Sequence, residues 1–176
     1  MSLEQHIRDK KKAILSKWFE LTIGTYPEQT AQFLKSKKNQ FANPIGYTLF
    51  KEIEPILDGL CKGVECNTLQ PFLENIIRIR AIQDFSPSQA LSFIFLLKEV
   101  IREEMEVEIQ QGALGRELLD LESRIDELGL LSFNIFMKCR EKIYDLKANE
   151  LKNRTVRLLK RAKLVSEEPE EIPKQV

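Results

Sequence analysis

Residues 86–111 read SPSQALSFIFLLKEVIREEMEVEIQQ, and their pattern sets the fold class. Ser86 can cap a helix with its hydroxyl, Pro87 takes the first helical position, where its missing N–H costs little, and Gln89 stands three places after the cap as a capping-box partner. Leu91, Ile94, Phe95, Leu97, Ile101 and Met105 then recur at helical spacing, while Arg102, Glu103, Glu104, Glu106 and Glu108 gather toward the far end. The spacing predicts one helix from Pro87 to about Gln111, stopped at Gly112.

The same signs appear on both sides of this stretch. Asn43 and Pro44 repeat the cap-and-proline start and open a helix with Ile45, Leu49, Ile53, Leu57 and Leu60 on one side, which Pro55 is expected to kink or restart near Glu54. From about Leu69 to Asp84, Phe72, Leu73, Ile76, Ile77, Ile79 and Ile82 make a helix apolar on most of its circumference, hence central. The first helix is predicted from about Leu3 to Thr22 through Ile7, Ile14, Trp18 and Leu21; Gly24 and Pro27 end it, and a short helix follows to Lys35. Gly115 to about Leu164 contains no proline, and Gly129 is its only internal glycine, so one very long helix or two abutting at Gly129 is implied. Leucine occurs 24 times and valine 6, a bias toward helix formers, and no window alternates as a strand would. An all-α fold is expected.

At the C-terminal end the pattern narrows. Leu151, Thr155, Leu158 and Ala162 follow the 4, 3, 4 spacing of a coiled-coil seam, which we read as a dimer contact. Six basic residues between Lys152 and Lys163 flank it, and Glu167, Glu168, Glu170 and Glu171 follow in a short acidic tail. The expected organisation is a globular domain over 1–148, a helical extension over 149–165 and a disordered tail over 166–176.

Composition excludes several functions. Lys plus Arg and Asp plus Glu both total 27, so nothing in bulk drives the 176-residue chain toward nucleic acid. The basic run could grip an acidic surface, but a solvated or dimer-flanking helix is the commoner outcome. The apolar run Leu91–Leu97 is far short of a membrane span, and no hydrophobic stretch of signal-peptide length follows Lys10–Lys12, so a cytoplasmic location without membrane insertion is expected.

A single histidine, His6, leaves little for catalysis or for zinc, and the seven glycines are scattered rather than gathered into a phosphate loop. No enzymatic role and no cofactor or metal is expected. Glu99, Glu103 and Glu106 share a helix face, which is more often solvated than metal-binding. Trp18, Phe19, Phe93, Phe95, Phe133 and Phe136 could line a pocket, but aromatics at helical spacing more often fill a core. Two candidates remain. Arg78 and Arg80 interrupt an apolar helix just before Asp84; they could hold an anionic ligand, although an intramolecular ion pair is the commoner arrangement. Cys61 and Cys66, in a chain with an odd number of cysteines, are candidate redox thiols, with reduced, buried thiols as the plainer alternative.

The segment Arg78-Ile-Arg-Ala-Ile-Gln-Asp-Phe-Ser-Pro-Ser-Gln-Ala90, continuing through Phe93 to Lys98, resembles the RsbRD N-terminal domain family, the sensor domain of RsbT co-antagonist proteins in bacterial stress signalling. Trp18, Tyr26-Pro27, Phe33-Leu34, Phe41 to Gly46 and Cys139 to Tyr144 are similar too, so the resemblance covers about residues 13–160. It implies a globin-like helical domain that carries no haem, forms dimers and signals through its last helix to an output module, commonly a STAS domain or a kinase, which this chain is expected to lack. The expected function is therefore a non-enzymatic, stand-alone sensory or regulatory homodimer. The alternative is an adaptor subunit that docks on a signalling or redox/respiratory complex through its C-terminal helix. A sensor should show an enclosed pocket with convergent polar groups, an adaptor a filled core and an exposed apolar patch.

Overall fold

A computed structural model describes residues 2–35, 41–83, 85–112, 114–162 and 164. Among them the regular structure is helical: α1 (Leu3–Asp9), α2 (Lys11–Gly24), α3 (Glu28–Lys35), α4 (Pro44–Lys62), a 3-10 turn at Cys66–Leu69, α5 (Gln70–Ile82), α6 (Pro87–Glu104), α7 (Glu106–Gln110) and α8 (Gly115–Arg161). The all-α reading holds. Residues 166–176, expected to be a disordered tail, lie outside the described residues, as does Asp84.

The caps form as their residue types require. Ser86 Oγ accepts from the Gln89 backbone N–H at 3.3 Å, while the Gln89 side chain accepts from the Ser86 N–H at 3.1 Å, completing the box. Asn43 Oδ1 accepts from the Gly46 N–H at 2.9 Å at the start of α4. At the other end of α4, Gly63 adopts φ +66°, and Arg124 of α8 lies against it, donating to the Leu60 carbonyl at 3.2 Å. A side chain at Gly63 would be strained by its backbone and would collide with the Arg124 guanidinium.

Three boundaries differ from the sequence reading. The predicted Leu3–Thr22 helix is two helices divided at Lys10, whose ammonium leaves the helix face to reach the Glu104 carbonyl and the Glu108 carboxylate. The predicted Pro87–Gln111 helix is divided at Met105, which is fully buried. Conversely, α4 runs unbroken through Pro55, because Ile53, Ile56 and Leu57 on either side are buried and each gains about 1.5–3 kcal/mol, enough to outweigh a lost hydrogen bond. Helix α8 also runs unbroken through Gly129, so the single-helix alternative is the one realised.

The core joins α2 to α6 and α4, and α4 to α5. At its centre Trp18 stacks on Phe93 with ring centroids 6.5 Å apart and donates its indole N–H to the Phe93 carbonyl at 2.6 Å. Phe19 meets Phe50 edge-on at 5.4 Å. The expectation that aromatics fill the core holds for Trp18, Phe19, Phe93 and Phe136, but Phe95 and Phe133 are nearly half exposed. Ile82 is exposed as well, so α5 is less fully enclosed than its sequence implies.

The chain divides into two compact units, Met1–Cys139 and Arg140–Val176. In the second, the described residues are the C-terminal part of α8 with Ala162 and Leu164 beyond it, and all are exposed except the half-buried Arg140, Ile143 and Leu159.

Candidate functional site

Arg80 is fully buried, one of the largest enclosed side chains of the core. It lies in the last turn of α5, where three chain breaks converge: the end of α2 at Thr25 and Tyr26, the connection carrying Phe85, and the first turn of α6 at Gln89. One terminal nitrogen, Nη2, donates to Thr25 Oγ1 at 2.7 Å and to the Gln89 carbonyl at 2.9 Å. The Thr25 hydroxyl donates in turn to the Thr22 carbonyl at 2.7 Å, which turns its lone pairs toward the guanidinium.

The remaining walls are aromatic. The guanidinium carbon lies 4.6 Å from the Phe85 ring centre, 5.0 Å from that of Tyr26 and 5.7 Å from that of Phe93, and Tyr26 and Phe85 pack edge to face at 4.9 Å. Ring faces attract a cation, but they do not supply a counter-charge. Nε and Nη1 of Arg80 have no hydrogen-bond partner, nor does the buried Tyr26 hydroxyl. Burial pushes the proton affinity of Arg80 down, with Tyr26 opposing, and lifts that of Tyr26, with Arg80 opposing. Arginine nonetheless stays protonated in proteins, so a full positive charge sits here in apolar surroundings.

The structure separates the paired arginines. Arg78 is exposed while Arg80 is buried, since residues two apart on a helix do not share a face. Among the described residues neither has an ion-pair partner, so the commoner arrangement is not seen there; Asp84, the sequence's candidate counter-charge, is outside them. Thr25, Tyr26, Phe85 and Gln89 were not anticipated in this role. A signal existed for two of them, because Tyr26 and Phe85 each stand immediately before a helix start, at Pro27 and at Ser86-Pro87.

Cys61, half-buried on α4, borders two open hollows of about 270 and 230 Å³ that are both lined by α1, one reaching toward Lys11 and Asp58 and the other toward Glu117 and Arg124 of α8. Burial, with Asp58 nearby, pushes its thiol up to about 12. Cys66 lies in the 3-10 turn with Sγ 3.8 Å from both the Arg124 carbonyl and the Glu127 carboxylate; burial and Glu127 raise it too. Both thiols are free, and these surroundings favour the thiol over the reactive thiolate.

The seam residues stand in the second unit. Leu151 and Leu158 are 64% and 58% exposed, Thr155 and Ala162 are exposed, and Thr155 Oγ1 donates to the Leu151 carbonyl at 2.9 Å. Tyr144, one heptad before Leu151, is 56% exposed. Back in the first unit, Leu91, Phe95, Leu96 and Phe133 line a shallow, mainly apolar hollow between α6 and α8.

The glutamate face of α6 is an ordinary charged surface, with Lys17 paired to Glu103 and Glu104. His6 Nδ1 is 3.7 Å from Glu108. Among the described residues no group of three or more His, Cys, Asp or Glu side chains could hold a metal ion, and no helix is long and apolar enough to cross a membrane.

The family model described as the RsbT co-antagonist protein rsbRD N-terminal domain matches residues 12–151. No curated protein and no solved structure matches the chain.

Proposed function

The chain belongs to the RsbRD N-terminal domain family, and from that premise we propose that it is a non-enzymatic sensory or regulatory domain of bacterial stress signalling, acting in the cytoplasm as a homodimer. The family match over residues 12–151 carries the reading. The input acts at the Arg80 corner, where α2, α3, α5 and α6 begin or end, so that occupancy biases how these helices pack. Arg78, exposed on the same helix, and Asp84, next to the α6 cap, flank that input in sequence. The signal leaves through α8, whose Leu151, Thr155, Leu158 and Ala162 stripe pairs with a second copy. Haem has no part in it: the chain's one histidine is on α1, close to Glu108.

One observation favours a second reading. The apolar hollow at Phe95 and Phe133 is open to solvent, as an adaptor that docks on another signalling or redox protein would require. In that reading Cys61 and Cys66 would answer redox state in the complex rather than alone.

Native mass spectrometry of the protein taken from its own cells separates the two. A homodimer carrying a small-molecule adduct is the expected result for the sensor. A chain without adduct, held in fixed stoichiometry to a different polypeptide, would overturn it in favour of the adaptor.

A further inference from the structure

A buried cation needs a partner. Removing a charged group from water without compensation costs several kcal/mol, and native cores relieve this with an opposite charge or a complete set of hydrogen bonds. Arg80 has neither among the described residues: Nη2 makes two hydrogen bonds, Nε and Nη1 make none of good geometry, and the enclosing groups are the rings of Tyr26, Phe85 and Phe93, with the uncharged Tyr26 hydroxyl close enough to favour the guanidinium charge. The two bonds Nη2 does make fix the plane of the guanidinium, so its free edges are held in one orientation. The buried Tyr26 hydroxyl adds an unsatisfied donor beside this charge.

We propose that this corner is the binding site for a small organic monocarboxylate, whose oxygens accept from Arg80 Nε and Nη1 and whose apolar part rests against Tyr26, Phe85 and Phe93. The charge argues for a monoanion, since one guanidinium neutralises one negative charge and a phosphate dianion would leave the second in an aromatic enclosure. Geometry argues for a carboxylate, which matches the planar guanidinium fork and tolerates apolar neighbours better than a strongly hydrated ion. The site is close to the surface: Phe85 is only half-buried and Gln89 is exposed. This deepens the sensory reading, on which it rests only for what occupancy does; binding itself stands apart from signalling.

The structure supplies a reporter. Trp18 is the chain's only tryptophan, and it stacks on Phe93, which flanks the guanidinium. The full chain is titrated with sodium formate, acetate and benzoate, sodium chloride making up constant ionic strength, and with inorganic phosphate in parallel, while Trp18 fluorescence is followed. A saturable change with carboxylate, absent with phosphate, is expected. Arg80→Met, which keeps the buried volume and removes the charge, should abolish the response while retaining the helical circular dichroism. Arg80→Lys should weaken it at least tenfold, because the ammonium lacks the fork, and it keeps the test open if Arg80→Met does not fold. Asp84→Asn should leave the response in place. No saturable response in the native chain, an equal response to phosphate, or a response that survives in Arg80→Met would each overturn the proposal. So would a response that arises only in Asp84→Asn, which would make Asp84 the missing counter-charge. Binding without any effect on dimer or partner would instead leave the site standing and count against the sensory reading.

Discussion

Burial on α4, with Asp58 close by, holds the Cys61 proton up to about 12. The nucleophile in alkylation is the thiolate, so in a Cys66→Ser, Cys139→Ser background the rate with iodoacetamide should keep rising through pH 10 instead of levelling off as an ordinary thiol does near 9. The same shift bears on stability. The folded state retains a proton that the unfolded chain gives up, so this contribution is present in full below about pH 9 and is lost as pH climbs toward 12. Replacing Cys61 with alanine should therefore flatten the alkaline limb of the stability profile measured by urea unfolding. A plateau in alkylation below pH 9 would show a reactive thiol and return Cys61 to the redox candidates. Asp58 stands three residues before Cys61 on the same helix and so is visible in the sequence, whereas the carboxylate beside Cys66 is not, because Glu127 comes from a helix more than fifty residues away.

Among the elements, helix starts were the most legible feature, because a cap is local chemistry. Ser86, Pro87 and Gln89 lie within four residues of one another and need nothing else of the fold. Ser86→Ala should cost about 1 kcal/mol, read as a fall of roughly 2–4 °C in the thermal midpoint, and Ser86→Asp should restore most of it. Breaks inside helices were not legible, since the causes at Lys10 and Met105 are distant partners and burial. Gly129 shows the opposite case. As the only glycine inside a long helical stretch it marks a possible junction of two helices, yet it is buried within α8, where an added Cβ would lie 2.5 Å from the tip of the Phe95 ring, so it serves close approach of α6 to α8. Gly129→Ala gains about 1 kcal/mol of helix propensity but must displace that ring, for a net loss of about 1 kcal/mol. In a Phe95→Ala background the same change should stabilise, and a double-mutant cycle by chemical denaturation reads the reversal directly.

For the whole molecule, fold class and family could be read from helical periodicity and the residues around Arg78 to Lys98, whereas the candidate site could not, since the groups around Arg80 come from three places in the chain. Knowing that Arg80 interrupts an apolar helix is enough to single it out; knowing that it is left without a counter-charge among the described residues takes the packed structure.

Assembly is where the remaining exposed apolar surface makes its demand. An isolated helix in water is marginal, and in the second unit Tyr144, Leu151 and Leu158 recur every seven residues with open side chains. A second copy would cover them. With Leu151 and Leu158 as one seam position and Thr155 and Ala162 as the other, Lys147, Lys152, Arg154 and Arg161 fall at the flanks together with Leu159 and a single acid, Asp145, so identical chains place mainly like charges against one another. Repulsion across those flanks is screened by salt, while burial of the leucines is not weakened by it. A homodimer built on this seam should therefore tighten as sodium chloride is raised, and Leu151→Asp combined with Leu158→Asp should leave a monomer by sedimentation velocity with residues 1–139 still folded. Loosening with salt would mean that charge attraction, not the leucine stripe, holds the assembly, and a double variant that remains dimeric would move the contact elsewhere, with the apolar hollow at Phe95 and Phe133 the next surface to substitute.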